Sequence, residues 1–236
     1  MTDFVARARR FVAAYYPQAL AAFLGGSAAS GEATDSSDLD ILILLPEEWA
    51  SASFVETVTF EAQLVEVFVY GRDALLPWLT KGRNEGRPVL DSLIAFGVSL
   101  VPGDVADCMA ADSRAVLDAG LAPIDAEQLD RRRYVLSALV DDAAEATDLG
   151  VRTVVSWAAW KEAAELAQLW TGRWAGTGKW LLRELRANGD PFGLAAWADQ
   201  GGRDTDALLT SCSALLDEVG GSLQSGYVRG EKPRDI

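Results

Sequence analysis

One stretch limits what this chain can become more than any other: Gly25-Gly26-Ser27, a polar spacer, then Ser37-Asp38-Leu39-Asp40 running into the apolar residues 41–45. The apolar run at 20–24 reads as a strand that ends in the two glycines, where backbone can approach a ligand that a side chain would obstruct. Ser27 then opens a short helix, whose free N–H groups favour an anion. The spacer returns the chain to a second strand. Side chains alternate along a strand, so Asp38 and Asp40 share one face while Leu39 and Ile41 point to the other. Two carboxylates side by side at the head of a hydrophobic strand repel each other. A hard divalent cation removes that cost, and Mg²⁺ with triphosphate oxygens is a natural occupant. Two such ions, about 3.5–4 Å apart, would clamp the attacking and leaving oxygens of an in-line phosphoryl displacement.

Around this stretch the sequence changes character near residue 104. Before it, strand-like runs at 20–24, 39–45, 54–61, 64–70 and 97–101 alternate with turn signals, and helical patterns fill the gaps at 3–16, 72–79 and 88–96. After it the pattern is helical throughout, with Asp125 as the cap of a long helix and further helices at 152–169, 179–187, 192–199 and 204–219. The expected class is α+β: a mixed β-sheet domain with flanking helices over residues 1–103, then an all-α helical bundle over 104–236. The Gly- and charge-rich residues from Gly220 onward read as loose.

Composition narrows the chemistry. Histidine is absent, which excludes serine-hydrolase triads and the usual zinc sites and leaves carboxylates, hydroxyls, lysine and arginine to act. Cys108 and Cys212 share no metal-ligand spacing and read as two buried, reduced thiols. Thirty-five acidic against 21 basic side chains give a net charge of −14, which repels a nucleic-acid backbone and suits a cationic small molecule better. No apolar run spans a bilayer and the first 16 residues lack a cleavage site of the secretory kind, so the expected location is the cytoplasm.

Gly25-Gly26-Ser27, the ten residues 28–37 and an Asp-hydrophobic-Asp strand together resemble the signature of the DNA polymerase β-type nucleotidyltransferase superfamily. The resemblance implies a nucleotidyltransferase fold and transfer of a nucleoside monophosphate from ATP or another NTP, with pyrophosphate released. It also implies that Asp38 and Asp40 hold two Mg²⁺ ions and that Gly26, Ser27 and Ser37 line the triphosphate. The superfamily needs a third carboxylate on a neighbouring strand. Glu66, an acid in the middle of the apolar run 64–70, is the first candidate, as metal ligand or as base, and Glu61 the second. Where many relatives carry a basic or aromatic residue after the serine, this chain has Ala28 and Ala29.

The helical half is similar, less specifically, to the C-terminal region of aminoglycoside-type nucleotidyltransferases around Gly176-Thr177-Gly178-Lys179-Trp180. Lys179 either reaches the triphosphate or is a solvated lysine beside a core tryptophan. Asp141 and Glu145, four residues apart on one helix, either meet a cationic acceptor or form a solvated face. Arg131-Arg132-Arg133 either touches phosphates or balances local charge. The six tryptophans between Trp157 and Trp197 read mainly as core. The leading expectation is a small-molecule nucleotidyltransferase acting on an aminoglycoside-like hydroxyl. It is either a monomer with the site between its domains or a homodimer whose site borrows the partner's bundle. The alternatives are a regulatory, antitoxin-like enzyme that modifies a protein or RNA partner, and a non-catalytic nucleotide-binding relative.

Overall fold

The computed structural model describes residues 2–34 and 37–230; Asp35 and Ser36 of the polar spacer and residues 231–236 lie outside the described residues. The chain divides into two units, 1–120 and 121–236. In the first, β1 (Ala21–Leu24), β2 (Leu39–Leu44), β3 (Ser53–Phe60), β4 (Gln63–Tyr70) and β5 (Val98–Val101) form one mixed sheet in the order β3-β4-β2-β1-β5. β2 and β4 are parallel and the other pairs antiparallel.

β2 is apolar on both faces because both faces are covered. Leu39, Ile41 and Ile43 join Val65, Val67 and Val69 of β4 in a cluster with Ala8 and Phe11 of α1 (Thr2–Tyr15). Leu42, Leu44 and Tyr70 face the other way. They meet Leu75 of α3 (Arg72–Asn84), Leu93 and Ile94 of α4 (Val89–Phe96) and Ala106 of α5 (Asp104–Ala119). Each fully buried Leu or Ile in these layers contributes about 1.5–3 kcal/mol. The short helix α2 (Gly26–Ser30) links β1 to the spacer and puts Ala28 into the α1 side of the core.

Glu61 and Ala62 form the two-residue turn between β3 and β4, with φ of +48° and +63°. Left-handed turn residues match the twist of a hairpin, although a non-glycine residue there costs about 1–2 kcal/mol. Arg10 of α1 hydrogen-bonds both Glu61 carboxylate oxygens and holds the tip down. That hydrogen bond, with the charges of Arg10 and Arg7, keeps the Glu61 carboxyl below its usual range. The second candidate for a third acidic ligand is thus engaged at the hairpin tip.

The domain boundary differs from the expected one. α5 packs on α4 and β1, so it belongs to the sheet unit, which ends at Gly120 and not at residue 103. A helical pattern says which residues turn inward but not which core receives them.

The second unit contains α6 (Ala126–Glu145), α7 (Leu149–Trp170), α8 (Lys179–Ala187), α9 (Leu194–Asp199) and α10 (Thr205–Glu218). Asp125, Asp148 and Asp204 cap α6, α7 and α10 by accepting the N–H groups of Gln128, Val151 and Ala207. The core runs from Leu136 through Ala159, Ala163 and Leu166 to Leu208 and Leu215. Trp160 and Trp197 are buried, each donating its indole N–H to a backbone carbonyl, and Trp157 stacks edge-on against both. Arg132 joins buried Glu165 and Glu162 across α6 and α7 at 3.0 and 2.9 Å.

Two further expectations fail here. Residues 220–227 are held and not loose: Arg133 donates to the carbonyls of Gly220 and Gly221, Ser222 and Leu223 bond Ser137, and Tyr227 stacks on Tyr134. Of the two thiols, Cys212 is buried and Cys108 is exposed on α5. No described helix is long and apolar enough to cross a membrane.

Candidate active site

Parallel pairing of β2 with β4 sets Asp40 directly opposite Glu66, as Leu39 is set opposite Val65. Neighbouring strands lie about 4.8 Å apart, and partners in register point to the same face, so the two carboxylates rise side by side. Their face is the one on which Leu42, Phe68 and Tyr70 continue toward α3 and α4. Asp38 lies just ahead of β2, two residues from Asp40, which is about 7 Å along an extended chain. All three acids are half-buried.

The glycines explain the local geometry. Gly25 donates its N–H to the Asp40 carbonyl at 2.8 Å, which continues the β1–β2 ladder one step past the strand. A Cβ on Gly25 would stand 2.5 Å from Leu93 Cγ, so this glycine makes room for α4. Gly26 has φ +61°, and a Cβ there would lie 1.9 Å from Asp40 Oδ2. Absence of a side chain at Gly26 is therefore what gives the Asp40 carboxylate its position. Ser27 follows, buried, with its carbonyl accepting the N–H groups of Gly31 and Glu32 to close the turn of α2.

Ser37 is fixed from the opposite face of the sheet. Buried Gln63 donates its amide to the Ser37 carbonyl and accepts from the Arg7 guanidinium at 2.7 Å. The Ser37 hydroxyl accepts the Thr34 N–H at 2.9 Å. Neither Gln63 nor Arg7 was singled out from sequence. The signal was present: Gln63 is the one polar residue in the inward phase 63, 65, 67, 69 of β4.

Lys179 is in the other unit, exposed at the first position of α8, with its ammonium 5.9 Å from the Trp180 ring. The adjoining Gly-rich turn has a structural account. Half-buried Glu184 accepts the Gly176 N–H, and a Cβ on Gly176 would press on Trp180 and Glu184. Of the other acids considered, Asp141 accepts from Gln224 at 2.6 Å, and Glu145 is exposed. In the arginine cluster, Arg132 is committed to Glu162 and Glu165, and Arg133 to the 220–221 carbonyls.

Among the described residues no three Asp, Glu, Cys or His side chains form a ready-made metal site. The donor chemistry nonetheless fits a hard cation. Asp38, Asp40 and Glu66 supply only oxygens, two of the three stand in register, and the space a Gly26 Cβ would fill is kept for one of those carboxylates. On the same sheet face, beside Phe68, a concavity of about 420 Å³ opens between β3–β4 and α3–α4, walled by Val55, Phe68, Tyr70, Trp78 and Val89. At its base Asp91 is fully buried, and Arg83 forks onto it at 2.7 and 3.0 Å.

Residues 5–79 of the chain match the family model described as nucleotidyltransferase domain. By that match, residues 5–79, about a third of the chain, are similar to nucleotidyltransferase domains. Among solved structures the chain is similar to a nucleotidyltransferase-like protein from Exiguobacterium sibiricum 255-15. That protein is 14% identical with a TM-score of 0.45, over 91% of this chain and 74% of the other. No curated protein matches the chain.

Proposed function

We propose that the chain transfers a nucleoside monophosphate from an NTP, with ATP the expected donor, to a hydroxyl of a small-molecule acceptor. The observation that carries this reading is the register of Asp40 with Glu66 across parallel β2 and β4, with Gly26 giving way to the Asp40 carboxylate. Asp38, Asp40 and Glu66 would hold Mg²⁺, which when bound supplies charge neutralisation to the triphosphate and the transition state. Gly26, Ser27 and Ser37 are the residues proposed to line the triphosphate. In the reaction the acceptor oxygen attacks the α-phosphorus, the bond to the bridging oxygen breaks, pyrophosphate leaves and the hydroxyl proton passes to a base. Glu66 is the carboxylate proposed to accept it.

The acceptor is better argued by exclusion. A net charge of −14 disfavours a polyanion and favours a cationic, aminoglycoside-like molecule. The apolar concavity next to Phe68 favours an acceptor with an apolar body as well. Cys108 and Cys212 are both free thiols, which suits a reducing compartment such as the cytoplasm, where NTP and Mg²⁺ are both supplied. The test is transfer of label from α-³²P-labelled NTPs to a panel of hydroxylated amines in the presence of Mg²⁺. Labelled small molecule with matching pyrophosphate supports the reading. Label found only on a copurifying protein or RNA would replace the acceptor class with the regulatory one.

A further inference from the structure

We propose that Gln63 and Arg7 are positioning residues for the candidate metal site: a clamp behind the sheet that sets the backbone at Ser37 and thereby aims Asp38. The inference rests on the reading of Asp38 as a ligand.

The argument begins with the end of β2. Its ladder with β4 starts at Leu39 opposite Val65, so Ser37 and Asp38 lie beyond the paired strand. A residue that must hold an ion at a strand's frayed end needs another restraint. Continuing the register two residues further would set Ser37 opposite Gln63, and there the Gln63 side chain replaces the missing backbone partner by donating to the Ser37 carbonyl. The amide is itself fixed, because the Arg7 guanidinium bonds its oxygen from α1 at 2.7 Å. Arg7 also lies 3.5 Å from the Glu61 carboxylate, so helix, hairpin tip and strand end are joined through one guanidinium.

The residue type is informative. Gln63 is buried in the phase of Val65, Val67 and Val69, where a polar side chain costs free energy unless both ends are bonded. An amide has a donor for Ser37 and an acceptor for Arg7. A carboxylate would satisfy Arg7 but present an oxygen to the Ser37 carbonyl, and would add a fourth acid close behind three. The clamp lies on the α1 face of the sheet, while Asp40 and Glu66 rise from the other. Residues that orient metal ligands in this indirect way typically change metal affinity 10–100-fold when replaced.

Gln63→Glu is the discriminating variant, since it keeps the Arg7 bond and the size of the side chain. Two readouts are taken on the full chain with Mg²⁺ and ATP. Hydrogen exchange should quicken at least threefold in the peptide spanning residues 32–40 and stay unchanged in β4. The Mg²⁺ concentration giving half-maximal ATP binding should rise about tenfold, with melting temperature within a few degrees of wild type. Gln63→Leu, which loses both bonds, should show the same metal defect with lower stability, and Gln63→Asn should restore part of it. Wild-type exchange and wild-type Mg²⁺ dependence in Gln63→Glu would overturn the clamp while leaving the proposed site standing. If wild-type protein shows no Mg²⁺-dependent ATP binding, the site reading falls and the positioning role falls with it, whatever the exchange data show.

Discussion

Replacing Gly26 by alanine should damage the site through one carboxylate, and the size of the damage follows from the geometry. The new Cβ would stand 1.9 Å from Asp40 Oδ2 and 3.0 Å from its Cγ. Ordinary contact requires about 3.5 Å, so the carboxylate must retreat by roughly 1.5 Å. The backbone at φ +61° adds strain of about 1–2 kcal/mol for any residue with a Cβ. Gly26→Ala is therefore expected to lower stability by at least that amount and to weaken Mg²⁺-dependent NTP binding about 10–100-fold. A double-mutant cycle in urea separates the two causes. In an Asp40→Ala background the collision is gone, and Gly26→Ala should cost only the backbone strain. An equal stability loss in both backgrounds, with Mg²⁺ dependence intact in the single variant, would refute the claim that Gly26 exists to make room for Asp40.

Three other outcomes follow from charges and burial elsewhere. Arg83→Ala strands the fully buried Asp91 carboxylate and should destabilise the sheet unit by about 3 kcal/mol in urea unfolding, most of it recovered in Arg83→Met/Asp91→Leu. Burial pushes the Cys212 thiol up to about 12, whereas Cys108 is exposed, so a disulfide reagent at pH 8 should titrate one thiol in native protein and two in denaturant. Burial also raises the Glu184 carboxyl above its ordinary 4.5, against the lowering effect of the Gly176 N–H. Between 4.5 and the raised value the folded state binds the proton that the unfolded state has lost. Stability of the helical unit should thus fall as pH rises through that window, and Glu184→Gln should flatten this dependence in unfolding measured from pH 4 to pH 8.

Local features were legible in the sequence wherever one short segment decides them. The alternating phase of residues 64–70, the apolar run of β2 and the Asp125 cap of α6 each follow from nearby residues. Glu66 stood out because an acid in an apolar strand needs a reason. What stayed hidden depends on partners distant in the chain. α5 has an apolar stripe that fits either core, and only its packing on α4 assigns it to the sheet unit. Residues 220–227 look unstructured because their polar hooks, Arg133 and Ser137, lie more than 80 positions earlier. Gly26 was read as leaving space for a ligand, whereas the atom nearest its absent side chain is a carboxylate of the protein itself. The clamp of Arg7, Gln63 and Ser37 joins three segments that no local pattern connects.

The most direct test of the proposed site is calorimetric titration of each NTP, with and without Mg²⁺, into wild-type protein and into Asp38→Ala/Asp40→Ala. The account requires Mg²⁺-dependent binding of at least one NTP to the wild type, and loss of that binding in a double variant that still melts cooperatively. Binding that persists unchanged in the double variant, or a folded wild type that binds no NTP, would contradict it.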